Sequence, residues 1–205
     1  MKTVTQSSEF TFKEKGSEFI ALLFPCEKEQ DFQEKLESVR KDHYNASHHC
    51  YGWRIDPFHL TEFSSDDGEP SGTAGLPILN AMRSSEMINC GIIVIRYYGG
   101  TKLGKPGLIE AYGGAAGQVI NNAQLKEIVL VGLFSIEYDY PEERVIQKII
   151  GDQDLRILDQ DYMEKVTLKV ACDHRASDKL IQQLESVEHL GISFEDQGTD
   201  HLTLS

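Results

Sequence analysis

Three groups of residues have the types and spacing to do chemistry. The first is YYGGTKLGKPG (97–107), where Gly99, Gly104 and Lys105 satisfy G-x-x-x-x-G-K. A phosphate loop of that pattern wraps phosphates in backbone N–H groups, reaches the outer phosphates with Lys and ligates Mg²⁺ through a following Ser or Thr. The eighth position here is Pro106, which has neither a hydroxyl nor an N–H to offer. A Walker-B strand should end in Asp, yet GIIVI ends in Arg96 and IVLV ends in Gly132. The nucleotide-hydrolase reading therefore fails. A weaker reading survives. Residues 87–109 contain no acid but hold Arg96, Lys102 and Lys105, in a chain of net charge −13. A glycine-rich turn feeding a helix N-terminus offers free N–H groups and a partial positive charge. These cations either contact an anion or pair with Asp66, Asp67 and Glu69, and the residues alone leave both open.

The second group is Asp66-Asp67-Gly68-Glu69. Calcium loops need acids at alternate positions followed by a distant Glu, and that pattern is absent, so a turn with helix-capping chemistry is expected. The third is His48-His49-Cys50. On a strand, His48 and Cys50 share one face and His49 points to the other. Two ligands on one face do not hold zinc without help from the 66–69 loop. A Cys–His nucleophile pair uses the same residues. Ser71, in EPSGTAG, lacks the G-x-S-x-G context of a nucleophile elbow. No metal and no cofactor are expected.

The elements that must position these groups follow from periodicity. FTFKEK (10–15) and FIALLFP (19–25) read as strands, and KEQDFQEKLESVRKDHY (28–44) as an amphipathic helix through Phe32, Leu36 and Val39. HHCYGWRI (48–55) is a strand and residues 56–75 are loop chemistry. A helix is expected over 76–86, a buried strand in GIIVIRYYGG (91–100), and a helix over 108–123. The small residues Gly113 to Gly117 of that last helix are expected to let it approach the sheet closely. After about residue 133 the pattern restarts as β-α-β-β-α-β, the split βαβ arrangement.

The chain has 205 residues, enough for two small domains. Charge is uneven: residues 134–205 hold 7 Lys/Arg against 16 Asp/Glu, and residues 1–133 hold 13 against 17. Blanket attraction to nucleic acid or anionic membrane is excluded, and any such contact needs a local basic patch. The four scattered cysteines, Cys26, Cys50, Cys90 and Cys172, read as reduced thiols of an intracellular protein. No signal peptide is indicated, and the longest apolar runs are too short to span a bilayer. A cytoplasmic location without membrane partners is expected.

SDDGEPSGTAGLP (65–77), VIRYYGGTKLG (94–104), AYGG (111–114) and HHC (48–50) together resemble the IMPACT/YigZ family. The resemblance covers about residues 8–131, and the last part resembles the extra domain of the bacterial members. It implies an α+β protein with two domains, 1–132 and 133–205. The first would be similar to domain 2 of ribosomal protein S-five and domain IV of elongation factor G. The second would be ferredoxin-like. It also implies a translation-related role: eukaryotic relatives bind the ribosome-associated activator of the amino-acid-starvation kinase. Two positions depart from the family's pattern. Relatives read L-G-x-G-G-L where this chain has Leu103-Gly104-Lys105-Pro106-Gly107-Leu108, and Glu110 stands where relatives often carry Lys or Arg.

The expected site is a groove between residues 65–75 and 96–107. Arg96, Tyr97, Tyr98, Gly99, Gly100, Lys102 and Lys105 would form its phosphate- or nucleic-acid-binding side, with one tyrosine stacking on a base. His48, Asp66, Asp67, Gly68, Glu69, Ser71, Gly72, Thr73 and Gly75 would shape it. The leading expectation is a non-catalytic partner of RNA or the ribosome. The alternatives are a hydrolase-like enzyme on a small anionic substrate, using the 66–69 acids and His48, and a module binding a protein partner through its acidic second domain.

Overall fold

Helix and sheet are mixed throughout the structure, a computed structural model that describes residues 1–204. The chain divides into two compact units, Met1–Ile128 and Val129–Leu202.

The first unit is built on an antiparallel sheet of β2 (Ser8–Glu14), β3 (Ser17–Pro25), β6 (Cys90–Tyr97), β4 (His48–Ile55) and β5 (Thr61–Ser65), in that spatial order. A short β1 (Lys2–Val4) pairs with Leu125–Glu127, at the start of β7 (Leu125–Tyr138). Helices α2 (Gly75–Ser84) and α3 (Gly104–Asn122) cover one sheet face, and α1 (Glu29–Asp42) covers the other. β6 shows why its sequence is an unbroken apolar run. Ile92 and Val94 join the core under α2 and α3, whereas Ile93 and Ile95 join the core under α1. A central strand covered on both faces has no polar side to show.

The period of two then assigns the site residues to faces. Arg96 follows Ile92 and Val94 onto the α2/α3 side, and Tyr97 follows Ile93 and Ile95 onto the α1 side. On β4, Cys50 lies in the α2/α3 core and Tyr51 and Trp53 lie in the α1 core. His48 stands directly across from Arg96 on the paired strand.

Three expectations are corrected. β5 lies inside the segment expected to be loop throughout, because its partner, β4, supplies the order. Helix α3 starts at Gly104 and not at 108, so Lys105, Pro106 and Gly107 belong to its first turn. The glycines of α3 do not serve a close approach to the sheet. A Cβ on Gly113 would meet Pro77 of α2, and one on Gly114 or Gly117 would meet nothing within 4 Å. The buried contacts come from Leu108, Ala111, Tyr112, Ala115, Ala116, Val119 and Ile120.

In the second unit the later part of β7 is followed by α4 (Glu143–Asp152), β8 (Arg156–Tyr162), β9 (Val166–Asp173), α5 (Ser177–Glu185) and β10 (Ser193–Leu204). The strand order is β10-β7-β9-β8, with β7–β9 and β8–β9 antiparallel. Its core gathers alternate residues of β7 and β9 with Ile146 and Ile149 of α4 and Leu180 and Leu184 of α5. These helical pairs stand three and four residues apart, which places each on one helix face.

Candidate ligand-binding groove

The first wall is a loop braced by its own acids. Asp66 Oδ1 accepts from the N–H groups of Ala74 (2.9 Å) and Gly75 (2.8 Å), and Oδ2 accepts from Gly72 N–H (2.8 Å). Ala74, at the N-cap of α2, has no side chain for the task, so Asp66 supplies the capping oxygens from eight residues upstream. Burial pushes the Asp66 pKa up, but the three backbone donors outweigh it and leave the carboxyl below its ordinary value. Gly75 must be glycine: a Cβ there would lie 2.6 Å from the Ser65 backbone. Asp67 is equally committed. Its Oδ1 accepts from Arg40 (2.7 Å), its Oδ2 from the N–H of His49 (2.7 Å), and its carbonyl from His48 Nδ1 (2.8 Å). Gly68, with φ 89°, backs onto the His48 ring. Thr73 Oγ1 donates to the Pro70 carbonyl at 2.6 Å. Ser71 stands exposed on the same loop. The expected helix-capping chemistry falls to Asp66 alone; Asp67 holds Arg40 and the β4 backbone, and Glu69 turns to the floor of the groove.

The floor is an ionic cluster on the α2/α3 side of the sheet. Arg96 is 5% exposed. Its Nη1 donates to Glu69 Oε1 at 2.6 Å and its Nη2 to Ser17 Oγ at 3.3 Å, while Nε is buried without a partner. The guanidinium lies against the rings of Phe19 and Tyr98, 5.4 Å from each centroid. Glu69 is buried as well, and its Oε1 also accepts from Tyr112 Oη at 2.7 Å. Burial drives the Tyr112 phenol far above its ordinary pKa, with Cys50 and Glu69 pushing the same way. The Asp67 carbonyl can only accept, so His48 carries a proton on Nδ1, and its Nε2 lies 3.9 Å from Glu69 Oε1.

Cys50 does not form a nucleophile pair with His48. It is fully buried, burial raises its pKa well above the thiol range, and its Sγ donates to the Asp66 carbonyl at 3.0 Å. His49 points to the α1 side, where burial lowers its pKa. Among the described residues no three His, Cys, Asp or Glu side chains are grouped as a metal site would require.

The second wall is open. After β6 the chain makes a tight passage at Gly99, where a Cβ would fall 1.9 Å from the Gly16 backbone. The N–H of Gly99 donates to Ser17 Oγ and that of Tyr98 to Ser47 Oγ, each at 3.2 Å. Gly100 and Gly104 take φ of 86° and 75°, a region that suits glycine. Helix α3 then begins with no side-chain cap and no acid in its first turn. Gly104 and Lys105 therefore present N–H groups that have no intrahelical acceptor. Pro106, third in the helix, gives up only a donor that would be orphaned anyway. Lys102 and Lys105 are exposed, and neither has an ion pair among the described residues.

The two loops meet. Glu69 and Pro70 of the first and Tyr98 and Lys102 to Lys105 of the second line a cleft of about 370 Å³, with Arg96 on its floor. Tyr98 is 48% exposed at the cleft. Tyr97 faces away and shares a 2.9 Å hydrogen bond with His43 Nδ1. Of the two outcomes left open for the cations, pairing holds for Arg96 and fails for the lysines. Ser17, Arg40 and Tyr112 complete the site and were not singled out from the sequence. Only Tyr112 carried a signal, as part of AYGG.

A chain of mixed helix and sheet in two compact units is matched by known proteins. Residues 15–120 match the Impact N-terminal domain, and residues 136–187 match a domain of unknown function, DUF1949. The IMPACT family member YigZ of Escherichia coli (strain K12) is 35% identical over 160 residues, 77% of this chain and 78% of that one. The IMPACT family member YvyE of Bacillus subtilis (strain 168) is 32% identical over 176 residues, 82% and 81% of the two chains. A solved structure described as a hypothetical protein superposes with a TM-score of 0.60 at 29% identity, covering 95% of this chain and 96% of that one. The chain belongs to the IMPACT family.

Proposed function

We propose that this is a translation-regulation-related protein that contacts RNA or the ribosome through the groove and catalyses no reaction. In this reading residues 1–132 form a domain similar to domain 2 of ribosomal protein S-five, residues 133–205 a ferredoxin-like domain, and the protein works in the cytoplasm. The observation that carries it is the second wall. Two unpaired lysines flank the uncapped N-terminus of a helix of 19 residues, in a stretch without acids and in a strongly acidic protein. Such a helix end attracts phosphate through its free N–H groups and its dipole. Tyr98 offers a ring face beside it for a base. Arg96 acts from beneath, holding that ring with its guanidinium while Glu69 neutralises it. Gly99 and Gly100 set the turn.

Filter binding of ribosomal RNA over a salt series tests the proposal. Single-stranded contacts release counterions with a slope of about −0.7 per phosphate, so binding should weaken steeply as salt rises. A weak signal that is flat in salt and unchanged in the Lys102→Ala/Lys105→Ala variant would overturn it.

The reading as an enzyme on a small anionic substrate finds less support. Asp66 spends both carboxylate oxygens on the loop and Asp67 spends its own on Arg40 and the His49 backbone, leaving Glu69 and His48 as the remaining acid and base. A hydrolase substrate panel with bound-metal analysis separates the two readings.

A further inference from the structure

The edge of the second unit's sheet differs from the rest of the molecule. β8 pairs only with β9, and all seven of its residues are exposed. Its register sorts them by face, since directly opposed residues share one. Ile157 and Tyr162 stand opposite Val170 and Val166, both fully buried on the helix-covered side. Yet Ile157 and Tyr162 are 40% and 49% exposed, and Met163 in the following turn is 73% exposed. Tyr140 Oη holds that turn by donating to the Met163 carbonyl at 2.8 Å. Gln160, opposite Leu168, lies between Ile157 and Tyr162 on that side, so the apolar side of the sheet continues at those two residues one strand beyond the helices that cover it. On the opposite side, Arg156, Asp159 and Asp161 stand across from Ala171, Lys169 and Thr167, so the acidic part of the edge is its 159–161 end. The other free edge, β10, carries no large exposed apolar side chain among the described residues.

We propose that β8 is a docking edge that accepts an extended partner segment as an additional strand, apolar on one side and bearing Lys or Arg on the other. An exposed edge offers a row of backbone hydrogen-bond groups, and strand addition uses them for affinity while alternate side chains supply selectivity. The charges choose the occupant. A second copy paired antiparallel about a two-fold axis at Gln160 would set Asp159 and Asp161 against the same carboxylates, and like charges directly opposed are destabilising. A basic strand puts cations there instead and covers Ile157 and Tyr162 with its apolar side. The bulge between Ile157 and Asp159 twists the edge locally and sets the register at which such a strand can join.

Fluorescence anisotropy of the full chain with three labelled eight-residue peptides tests this. One alternates valine and lysine, one has the same composition in two blocks, and one alternates valine and glutamate. The alternating valine–lysine peptide should bind at least about tenfold tighter than either control. Hydrogen exchange should slow at residues 156–162. Asp159→Asn/Asp161→Asn, which removes both carboxylates without setting a cation across from Lys169, should weaken that peptide by about tenfold or more without moving the thermal midpoint, since both side chains are exposed. Ile157→Ser, which keeps the charges, should weaken it too. Absence of saturable binding, equal binding of the blocked peptide, or protection falling outside β8 would each overturn the proposal. So would sedimentation showing that the chain dimerises through this edge.

Discussion

The two walls of the groove share a composition and differ in what they leave unpaired. Both are rich in glycine, and both lead into a helix. In the 65–75 loop every carboxylate oxygen of Asp66 and Asp67 is engaged, mostly by backbone N–H groups within or beside the loop. In the 98–107 loop the following helix has no cap, and Lys102 and Lys105 have no ion pair among the described residues. The first loop has spent its polar groups on holding its own shape. Clustered acids beside histidines would draw attention as a reactive centre, yet here they are the brace, and the less conspicuous lysines are the surface with chemistry to spare.

That contrast is broken or sharpened by mutation, and the largest effect is expected at the floor between the walls. Arg96→Ala leaves Glu69 buried and uncompensated, and removing one partner of a buried pair costs about 3–5 kcal/mol. Chemical denaturation should show it. Glu69→Gln should recover part of that loss in the double variant, because the stranded charge is then gone. Equal losses for the single and double variants would mean that packing of the guanidinium against Phe19 and Tyr98 dominates, and the floor would then be apolar in effect.

Next comes the brace. Asp66→Ala removes the acceptor that caps α2 and should cost about 1–2 kcal/mol. The pH dependence has a definite sign. The folded-state pKa of Asp66 lies below its ordinary value, so its contribution is complete above about 3.9 and is lost as pH falls through the lower folded value. His49 adds an earlier step. Burial lowers its pKa, so its contribution is complete above about 6.5 and declines as pH falls through its folded value. Wild-type stability should fall in two stages on acidification. Glu62 and Asp56 are also held below their ordinary values, by Arg83 and by the N–H groups of His59 and Phe58, so the Asp66→Asn variant should lose part of the lower stage and keep the upper, and thermal melts from pH 7 to pH 3 read both.

Much of this was legible in the sequence, for reasons that explain what was not. Strand β6 and helix α1 announce themselves because their partners in packing fall at fixed short spacings: Ile92 to Ile95, and Phe32, Leu36 and Val39. The β-α-β-β-α-β order of the second unit is readable for the same reason. The Glu69–Arg96 pair joins residues 27 apart, and only the register of β4 and β6 decides that Arg96 turns inward. β5 is short and half exposed, and it takes its order from pairing with β4 and from Arg83 and Gly75 of α2, which hold Glu62 and lie against Ser65. The start of α3 is disguised by Gly104 and Pro106, residues that suit a loop as well as a first helical turn. In the failed phosphate-loop pattern Pro106 is only the residue that lacks a hydroxyl and an N–H, and it is the structure that places Lys105 in the first turn of an uncapped helix. The sequence did mark the two loops as walls, but could not say which would be closed by its own hydrogen bonds.

The smallest effect on folding carries the most weight for function. Lys102→Ala/Lys105→Ala alters exposed side chains that make no ion pair among the described residues, so stability should change by less than about 0.5 kcal/mol. If the second wall contacts phosphate, the same change should reduce the steepness of the salt dependence of RNA binding by about 1.4, two contacts at about 0.7 each. Tyr98→Ala should instead lower affinity by about 1–3 kcal/mol at every salt concentration, because stacking releases no counterions. The two variants then differ in kind: one tilts the line of log affinity against log salt, and the other shifts it in parallel. Two parallel shifts would mean that the lysines bind no phosphate, and the open wall would lose its distinction from the closed one. A tilt from the lysines with no shift from Tyr98 would leave a phosphate contact without base stacking, and would confine recognition to the backbone of the nucleic acid.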